Sequence, residues 1–223
     1  MGTRESISAP SAPGRPRTDS RRHARRARRP HNDDPHAAAR VDILQSAAAL
    51  FRRRGYHGAT VEEIAASLEM KKGNLYYYFK NKEAILFACH QYSLDRLMET
   101  LVEVEAVDAA PDEKLRHLIV AFVHTILDEL QGTALFLDLE ALTPSHRRAV
   151  IARRDQFDRG LRRIVSQGIG AGLFPGADAK LLSFAILGAV NWIPRWFNPA
   201  GPASSQEIAD RFARFLIAGL RQA

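Results

Sequence analysis

The sequence predicts an all-α protein of about nine helices, and three observations support this fold class. Apolar residues recur at spacings of three and four along most of the chain, as at Val41, Leu44 and Ala48. Residues that commonly cap helices precede several of these segments. No run of alternating apolar and polar residues, which would indicate a half-buried strand, stands out. We therefore expect helices packed on helices.

The first 34 residues differ from the rest and are predicted to form a disordered, arginine-rich tail. They are mostly Pro, Ser, Gly and Arg, with too little apolar surface to offset the entropy lost on ordering. Residues 15–29 contain eight arginines and one acidic residue, and their net charge of +7 equals that of the whole chain. The tail is either a solvated extension or an arm that attracts nucleic-acid phosphates.

The first helix is predicted over about residues 36–54, where the helical period is clear. Gly55 is expected to end it, because glycine is the residue that most readily follows a helix C-terminus. Thr60 and Glu63 have the spacing of a capping box. They predict a short second helix over about 61–68.

A second short helix is predicted over about residues 71–78, after a turn at Glu69. Asn81 is a plausible cap for a long helix that runs to about residue 105. Two short helices joined by a tight turn are typical of a helix-turn-helix. We assign residues 35–84 to this domain.

Four more helices are predicted in the second half, each with a start signal. Asp112, Thr143 followed by Pro144, and Asp178 begin three of them, and Ser204 with Glu207 forms a second capping box. The predicted spans are about 112–132, 144–168, 178–197 and 204–220.

The stretch KKGNLYYYFKNKEAIL, residues 71–86, contains four of the six lysines of the chain around three consecutive tyrosines. Leu75 and Phe79 are four residues apart and are expected to face inward, which leaves a polar and aromatic outer surface. Gly73 permits close backbone approach, and Asn74 can read a base edge. Lysines and tyrosine hydroxyls suit phosphates. The alternative is that the tyrosines are partly core and the lysines only solvated.

The sequence AAALFRRRGYHGATVEEIAASLEMKKGNLYYYFKNKEAIL, residues 47–86, resembles the DNA-binding domain of the TetR family of transcriptional repressors. The resemblance is carried by ALF-x3-G-Y-x2-A-T-V-x2-I-A and, at matching distance, K-G-N-L-Y-Y-Y-F-K-N-K-E. It implies phosphate contacts at Thr60, Lys80 and Lys82. Gly73, Asn74 and Tyr77 are expected nearest the bases. The full set of predicted DNA contacts is Thr60, Lys71, Lys72, Gly73, Asn74, Tyr76, Tyr77, Tyr78, Lys80 and Lys82.

The turn between the two short helices departs from the family pattern. Members often read A-G-V-S where this chain has Leu68, Glu69, Met70 and Lys71. If Glu69 takes a left-handed conformation, it costs roughly 1 kcal/mol relative to glycine. These differences bear on which operator is read.

Residues from about 140 to 210, beginning EALTPSHRRAVIARRDQF, resemble a branch of the same family. That branch represses fatty-acid and sterol breakdown and releases DNA on binding acyl-CoA thioesters. The resemblance implies arginines for the CoA phosphates and an aromatic acyl tunnel, and Glu140 is a further candidate among apolar neighbours. For each residue, core packing or a solvated charge is the alternative. The candidate ligand-binding residues are Phe136, Glu140, Arg153, Arg154, Phe157, Asn191, Trp192 and Arg195.

Apolar stripes on the last two predicted helices are candidates for a dimer interface. Such stripes pack first of all in the core, but members of the family dimerise through these two helices as a four-helix bundle. Residues 85–223 would then form an effector-binding and dimerisation domain. The predicted interface residues are Ile186, Val190, Ile208, Phe212, Phe215 and Leu216.

The sequence as a whole predicts a homodimeric, ligand-responsive repressor that binds a palindromic operator and is released by a small effector, with an acyl-CoA suspected. The alternatives are an activator of the same fold, a regulator that answers a different apolar ligand, and a membrane-surface protein that uses the basic tail.

Several other classes are not expected. The single cysteine, Cys89, excludes an internal disulfide and indicates a cytoplasmic protein. No apolar run reaches the roughly 18 residues of a membrane span. The motifs G-x-S-x-G, H-E-x-x-H and the P-loop are absent from the sequence. We therefore expect no enzyme, catalytic residue, metal or cofactor.

Overall fold

The computed structural model describes residues 35–129, 138–175 and 178–222, and within these ranges the protein is all-α, as predicted. A π-helical turn, Thr125–Glu129, extends α5, and two short 3-10 segments follow at Leu139–Ala141 and Ile193–Arg195. The eight α-helices of these ranges are α1 Pro35–Gly58, α2 Val61–Ser67, α3 Lys72–Tyr78, α4 Lys82–Ala106, α5 Pro111–His124, α6 Pro144–Gly170, α7 Ala179–Trp192 and α8 Ser205–Leu220. The predicted tail, residues 1–34, and Phe136 lie outside the described residues.

Side-chain caps set most of the helix starts. The predicted capping boxes of α2 and α8 are both confirmed. The side chain of Asn81 caps α4, accepting a hydrogen bond from the backbone N–H of Ala84 at 2.8 Å. Helix α5 begins one residue earlier than predicted, because Pro111 occupies its first position and Asp112 lies in its first turn. Gly55, at φ 71°, interrupts α1 near the predicted end.

Two hydrophobic cores organise the fold. The first core joins α1, α2, α3 and the N-terminal half of α4, and it also takes in Leu142 and Val150. The second core joins the C-terminal half of α4 to α5, α6, α7 and α8. Helices α4 and α6 contribute to both cores. These two helices therefore connect the N-terminal helices mechanically to the rest of the chain.

A helix that spans a bilayer must be both long and continuously apolar. Among the helices in the described ranges, none combines the length and the apolar character required to cross a membrane.

Candidate nucleic-acid interface and effector domain

One side of helix α3 packs into the first core, and the opposite side is exposed to solvent. Leu75 and Phe79 are buried in the first core, as predicted from their spacing. The exposed side of α3 carries Asn74 and Tyr76, and the ring of Tyr77 is 76% exposed. A large aromatic ring that remains in water after folding gains nothing from the core, so its use is to be sought outside the chain.

Gly73 also has no packing reason within the chain. A Cβ atom built at this position meets nothing within 4 Å. Glycine inside a helix costs about 0.8–1.0 kcal/mol relative to alanine. The open side of α3 is therefore flat at Gly73, and another molecule can approach the backbone there.

Tyr78 is held differently from Tyr77. Its ring is half-buried and lies 4.6 Å, centroid to centroid, from the ring of His36 at the start of α1. The Tyr77 ring meets the Tyr78 ring edge-on at 5.4 Å. The three rings together fix the end of α3 against α1.

The lysines of this region do not all face solvent. Lys71, Lys72 and Lys80 are all exposed, and Lys72 is also paired with Glu62, whose hydrogen bond raises the pKa of Lys72. Lys82 turns inward and donates to the backbone oxygens of Tyr56, at 2.9 Å, and Ala59, at 2.8 Å. The phosphate contact expected of Lys82 is therefore not supported by its geometry, because its ammonium group fixes the start of α4 to the α1–α2 connection.

The turn between α2 and α3 contains the strained residue anticipated from the sequence. Glu69 has a φ of 54°, and the backbone N–H of Met70 donates to the oxygen of Ala65 at 2.9 Å. A non-glycine residue in this conformation costs of the order of 1 kcal/mol. Thr60 is the exposed N-terminal cap of α2 and lies at the opposite end of that helix from the turn.

Two of the candidate ligand residues lie inside the effector half. Phe157 is buried in the second core and meets Phe122 edge-to-face, with the ring centroids 5.2 Å apart. Arg154, one turn earlier on α6, is largely buried, and desolvation lowers its pKa. Its neighbour Arg153 instead lies near the surface and donates to Asp95 at 2.9 Å.

The other candidates lie nearer the surface. Glu140 is exposed and paired with Arg147. The side chain of Trp192 is 64% exposed and Arg195 is also exposed, while Asn191 is half-buried. Helix α7 packs through Ile186 and Val190, and Trp192 lies about 200° around the helix from Val190. Within a single chain, Trp192 therefore does not line an interior tunnel.

A surface groove of about 480 Å³ lies where the end of α4 meets α5 and α8. Its walls include the aliphatic Val104 and Val120 and the polar His117, Gln206 and Asp210. None of the candidate ligand residues lines this groove. The groove and the Arg154–Phe157 region are therefore separate features.

The residues proposed for the dimer interface fall into two groups. Ile186, Val190 and Ile208 are buried in the second core of the same chain, so a partner could not reach them. Phe212 and Leu216 are half-buried, and Phe215 is exposed. The apolar side chains that α7 and α8 present outward, here called the outer face, are Leu181, Phe184, Trp192 and Phe215.

Two protein-family models match the sequence. "Bacterial regulatory proteins, tetR family" matches residues 43–89, which include α2 and α3. "Tetracyclin repressor-like, C-terminal domain" matches residues 108–220, just over half of the chain. Together they cover most residues of both cores.

Characterised proteins with similar sequences and structures are regulators. The transcriptional repressor KstR2 of Mycolicibacterium smegmatis is 27% identical over 190 residues, which cover 83% of this chain and 92% of that protein. The crystal structure of PfmR, a TetR family transcriptional regulator from Thermus thermophilus, superposes with a TM-score of 0.72 at 32% identity and covers 80% of this chain and 98% of that one.

The structure of AibR in complex with isovaleryl coenzyme A and operator DNA superposes with a TM-score of 0.68 at 33% identity, over 80% of this chain and 98% of that one. These matches run through the helix-turn-helix and the C-terminal helices alike. The chain belongs to the TetR family of bacterial regulatory proteins.

Proposed function

We propose that this protein is a dimeric transcriptional repressor that binds a palindromic operator and releases it on binding an effector, with an acyl-CoA thioester as the effector class. Residues 35–84 would read DNA, and residues 85–223 would bind the effector and a second copy. The observation that carries the proposal is the outer surface of α3, where Gly73 has no role in packing and Tyr77 stays largely exposed. We propose no catalytic role, and a regulator of this kind acts in the cytoplasm beside the chromosome.

The chemistry of α3 suits the major groove of DNA. A short helix fits the groove, its backbone can approach most closely at Gly73, and the amide of Asn74 offers both a donor and an acceptor to a base edge. Lys71 and Lys80 provide charge for the phosphates on either side, and the hydroxyls of Tyr76 and Tyr78 are further donors. The hydroxyl of Thr60 already donates to Glu63, so it would reach a phosphate only by exchanging that hydrogen bond. Two such helices held about 34–36 Å apart by a dimer would read two half-sites.

Substitutions at Tyr77 and Lys80 should separate base reading from phosphate binding. Lys80→Ala should weaken binding to all DNA sequences alike and lower the salt dependence of log K by about one unit, because one ion pair with a phosphate is lost. Tyr77→Ala should cost about 1–3 kcal/mol on the cognate site and little on scrambled DNA. Titrations of both DNAs at two or more salt concentrations measure the difference. An unchanged sequence preference in Tyr77→Ala would remove Tyr77 from the reading surface.

The effector part of the proposal rests on chemistry inside the second half of the chain. Phe157 and Phe122 provide an aromatic interior for an acyl chain, and the guanidinium of Arg154 can donate to a carbonyl or phosphate oxygen. AibR, which has a similar fold, has been crystallised with isovaleryl coenzyme A and operator DNA. A ligand that displaces side chains of the second core would act on α4, which contributes to the same core.

A polar contact between the starts of α4 and α6 provides a route for coupling. The carboxylate of Glu83 accepts hydrogen bonds from the backbone N–H of Thr143, at 3.0 Å, and from Nδ1 of His146, at 2.7 Å. The imidazole of His146 stacks on Phe87 with centroids 3.8 Å apart. Helix α6 thus carries Arg154 near its middle and contacts the start of α4 through its own first turn. We expect two conformations of the dimer that differ in the position of α6 and of the reading helices. An effector that binds one of them more tightly would shift the equilibrium toward it.

Replacing Glu83 by glutamine should weaken this coupling. Burial opposes ionisation of Glu83, but hydrogen bonds from Thr143 and His146 outweigh it and lower its pKa. A lowered pKa in the folded state adds stability that is present above the unfolded pKa of about 4.3 and is lost as pH falls through the folded value. Glu83→Gln should therefore be less stable by about 1 kcal/mol at pH 7. The difference should vanish on acidification, as measured by urea unfolding, and the effector should release DNA less completely.

A fluorescence-anisotropy titration tests the proposed function. DNA from upstream of the protein's own gene is compared with scrambled DNA at a stated salt concentration, with and without isovaleryl-CoA and palmitoyl-CoA. We expect preference for the upstream DNA and its loss with an acyl-CoA. Specific binding that no acyl-CoA alters would remove this effector class and leave the DNA-binding role intact.

A further inference from the structure

His90, on α4, is a buried polar side chain that has no part in the DNA-reading surface or in the Glu83 contact. It is 0% exposed, and within the described residues neither Nδ1 nor Nε2 has a hydrogen-bond partner. Folding removes both nitrogens from bulk water without giving either a partner among the described residues. Buried polar atoms left in this way are rare in native proteins, and each calls for an explanation such as a ligand or an ordered water.

The imidazole is neutral at physiological pH. Burial and, to a smaller extent, the nearby positive charge of Arg154 lower the pKa of His90 to about 3. A neutral imidazole has one N–H donor and one bare nitrogen acceptor. The N–H donor of His90 has no acceptor among the described residues. Its chemical complement is an oxygen atom that accepts hydrogen bonds.

His90 and Arg154 lie near the boundary between the two cores. On α6 the first core ends at Val150 and the second begins at Phe157, and Arg154 lies between them. On α4 the first core ends at Leu94, one turn after His90. The pair therefore forms a polar layer between the DNA-reading part of the chain and the aromatic interior around Phe157.

We propose that His90 is an effector contact, which donates a hydrogen bond to the carbonyl oxygen of the acyl thioester beside Arg154. The inference rests on the proposed function and adds a named residue and a named ligand atom to it. An acyl chain that lies along Phe157 places its carbonyl toward the polar layer, next to the first core. A ligand bound in this layer would then contact α4 directly through His90.

The test uses two variants of the full chain. His90→Leu has a similar volume and no polar atom, so it should fold with an unchanged or higher Tm and bind DNA within about twofold of wild type. Its affinity for the acyl-CoA that binds the wild type best should fall at least tenfold. His90→Gln retains a donor and an acceptor and should keep most of that affinity.

A second ligand tests whether His90 contacts the carbonyl oxygen of the thioester. The S-alkyl-CoA thioether of the same chain length lacks the carbonyl oxygen. Wild type should bind it at least tenfold more weakly than the thioester, and His90→Leu should bind both equally. Calorimetry with the two ligands gives all four affinities.

The outcomes separate this inference from the function on which it rests. Equal thioester affinity in wild type and His90→Leu, or no discrimination between thioester and thioether by wild type, would overturn the His90 contact alone. A wild type that binds its operator but neither CoA compound would remove the effector class and this contact together. Loss of sequence-specific DNA binding would refute the repressor while calorimetry still decided the role of His90.

Discussion

Gly73→Leu is expected to abolish operator binding without harming the fold. A side chain at this position meets open space in the free protein, and removing a glycine from a helix favours folding by roughly 0.5–1 kcal/mol. In the complex the same side chain would stand between α3 and the DNA. Holding the helix out of the groove removes several contacts of about 1–3 kcal/mol each, so affinity should fall by on the order of 100-fold or more.

The measurement is a pair of titrations, thermal unfolding and DNA binding, on a graded series. Gly73→Ala should be more stable than wild type and moderately weaker on DNA, and Gly73→Leu should be inactive. Gly170→Leu is the matched control, because Gly170 is also exposed, helical and open around its Cβ but lies at the end of α6. Unchanged operator affinity in Gly73→Leu would mean that α3 does not enter the groove.

The second large effect is expected at the outer face of α7 and α8. Leu181 is 65% and Phe215 77% exposed in the single chain, and with Phe184 and Trp192 they place four large exposed apolar side chains on these two helices. Grouped exposed apolar side chains of this kind mark interaction sites. In a two-fold dimer each substitution occurs twice across the interface. Phe215→Glu would place two carboxylates in an apolar contact, and the cost of burying unpaired charge should favour monomers at micromolar concentration.

Sedimentation velocity measures the outcome directly. Phe215→Glu should sediment as a folded monomer and lose most of its operator affinity, because a single reading helix is left to bind each half-site. Val102→Glu, a similarly exposed apolar residue on α4, is the control and should remain dimeric. An unchanged dimer dissociation constant in Phe215→Glu would exclude this face as the interface.

The helix-turn-helix was predictable because its determinants are local. The capping box at Thr60, the cap at Asn81 and the inward spacing of Leu75 and Phe79 are all within one or two turns in sequence. The strain at Glu69 followed from comparing one residue with what its turn requires. Such features need no knowledge of the rest of the fold.

The outer face and the polar layer were not predictable in the same way. Helix α7 is apolar on more than one side, and periodicity does not say which side its own chain covers. The sequence therefore does not distinguish Ile186 and Val190, which the chain itself buries, from residues of an interface. The sequence pattern indicates a surface position for Lys82, whereas the fold brings two backbone oxygens of the α1–α2 connection beside its ammonium group. His90 lacks any motif, and its neighbour Arg154 lies on α6, far along the sequence.

The central claim is that binding of the effector weakens binding of the operator by the same protein, and the reverse. Measuring the affinity for one ligand in the presence of the other tests this most directly. The dissociation constant of the acyl-CoA is measured by calorimetry with the dimer free and with the dimer saturated by operator DNA. Linkage requires the operator to weaken acyl-CoA binding by the same factor as acyl-CoA weakens operator binding, typically about 5- to 150-fold. We predict equal factors in that range. An acyl-CoA affinity that is identical with and without operator would contradict the account.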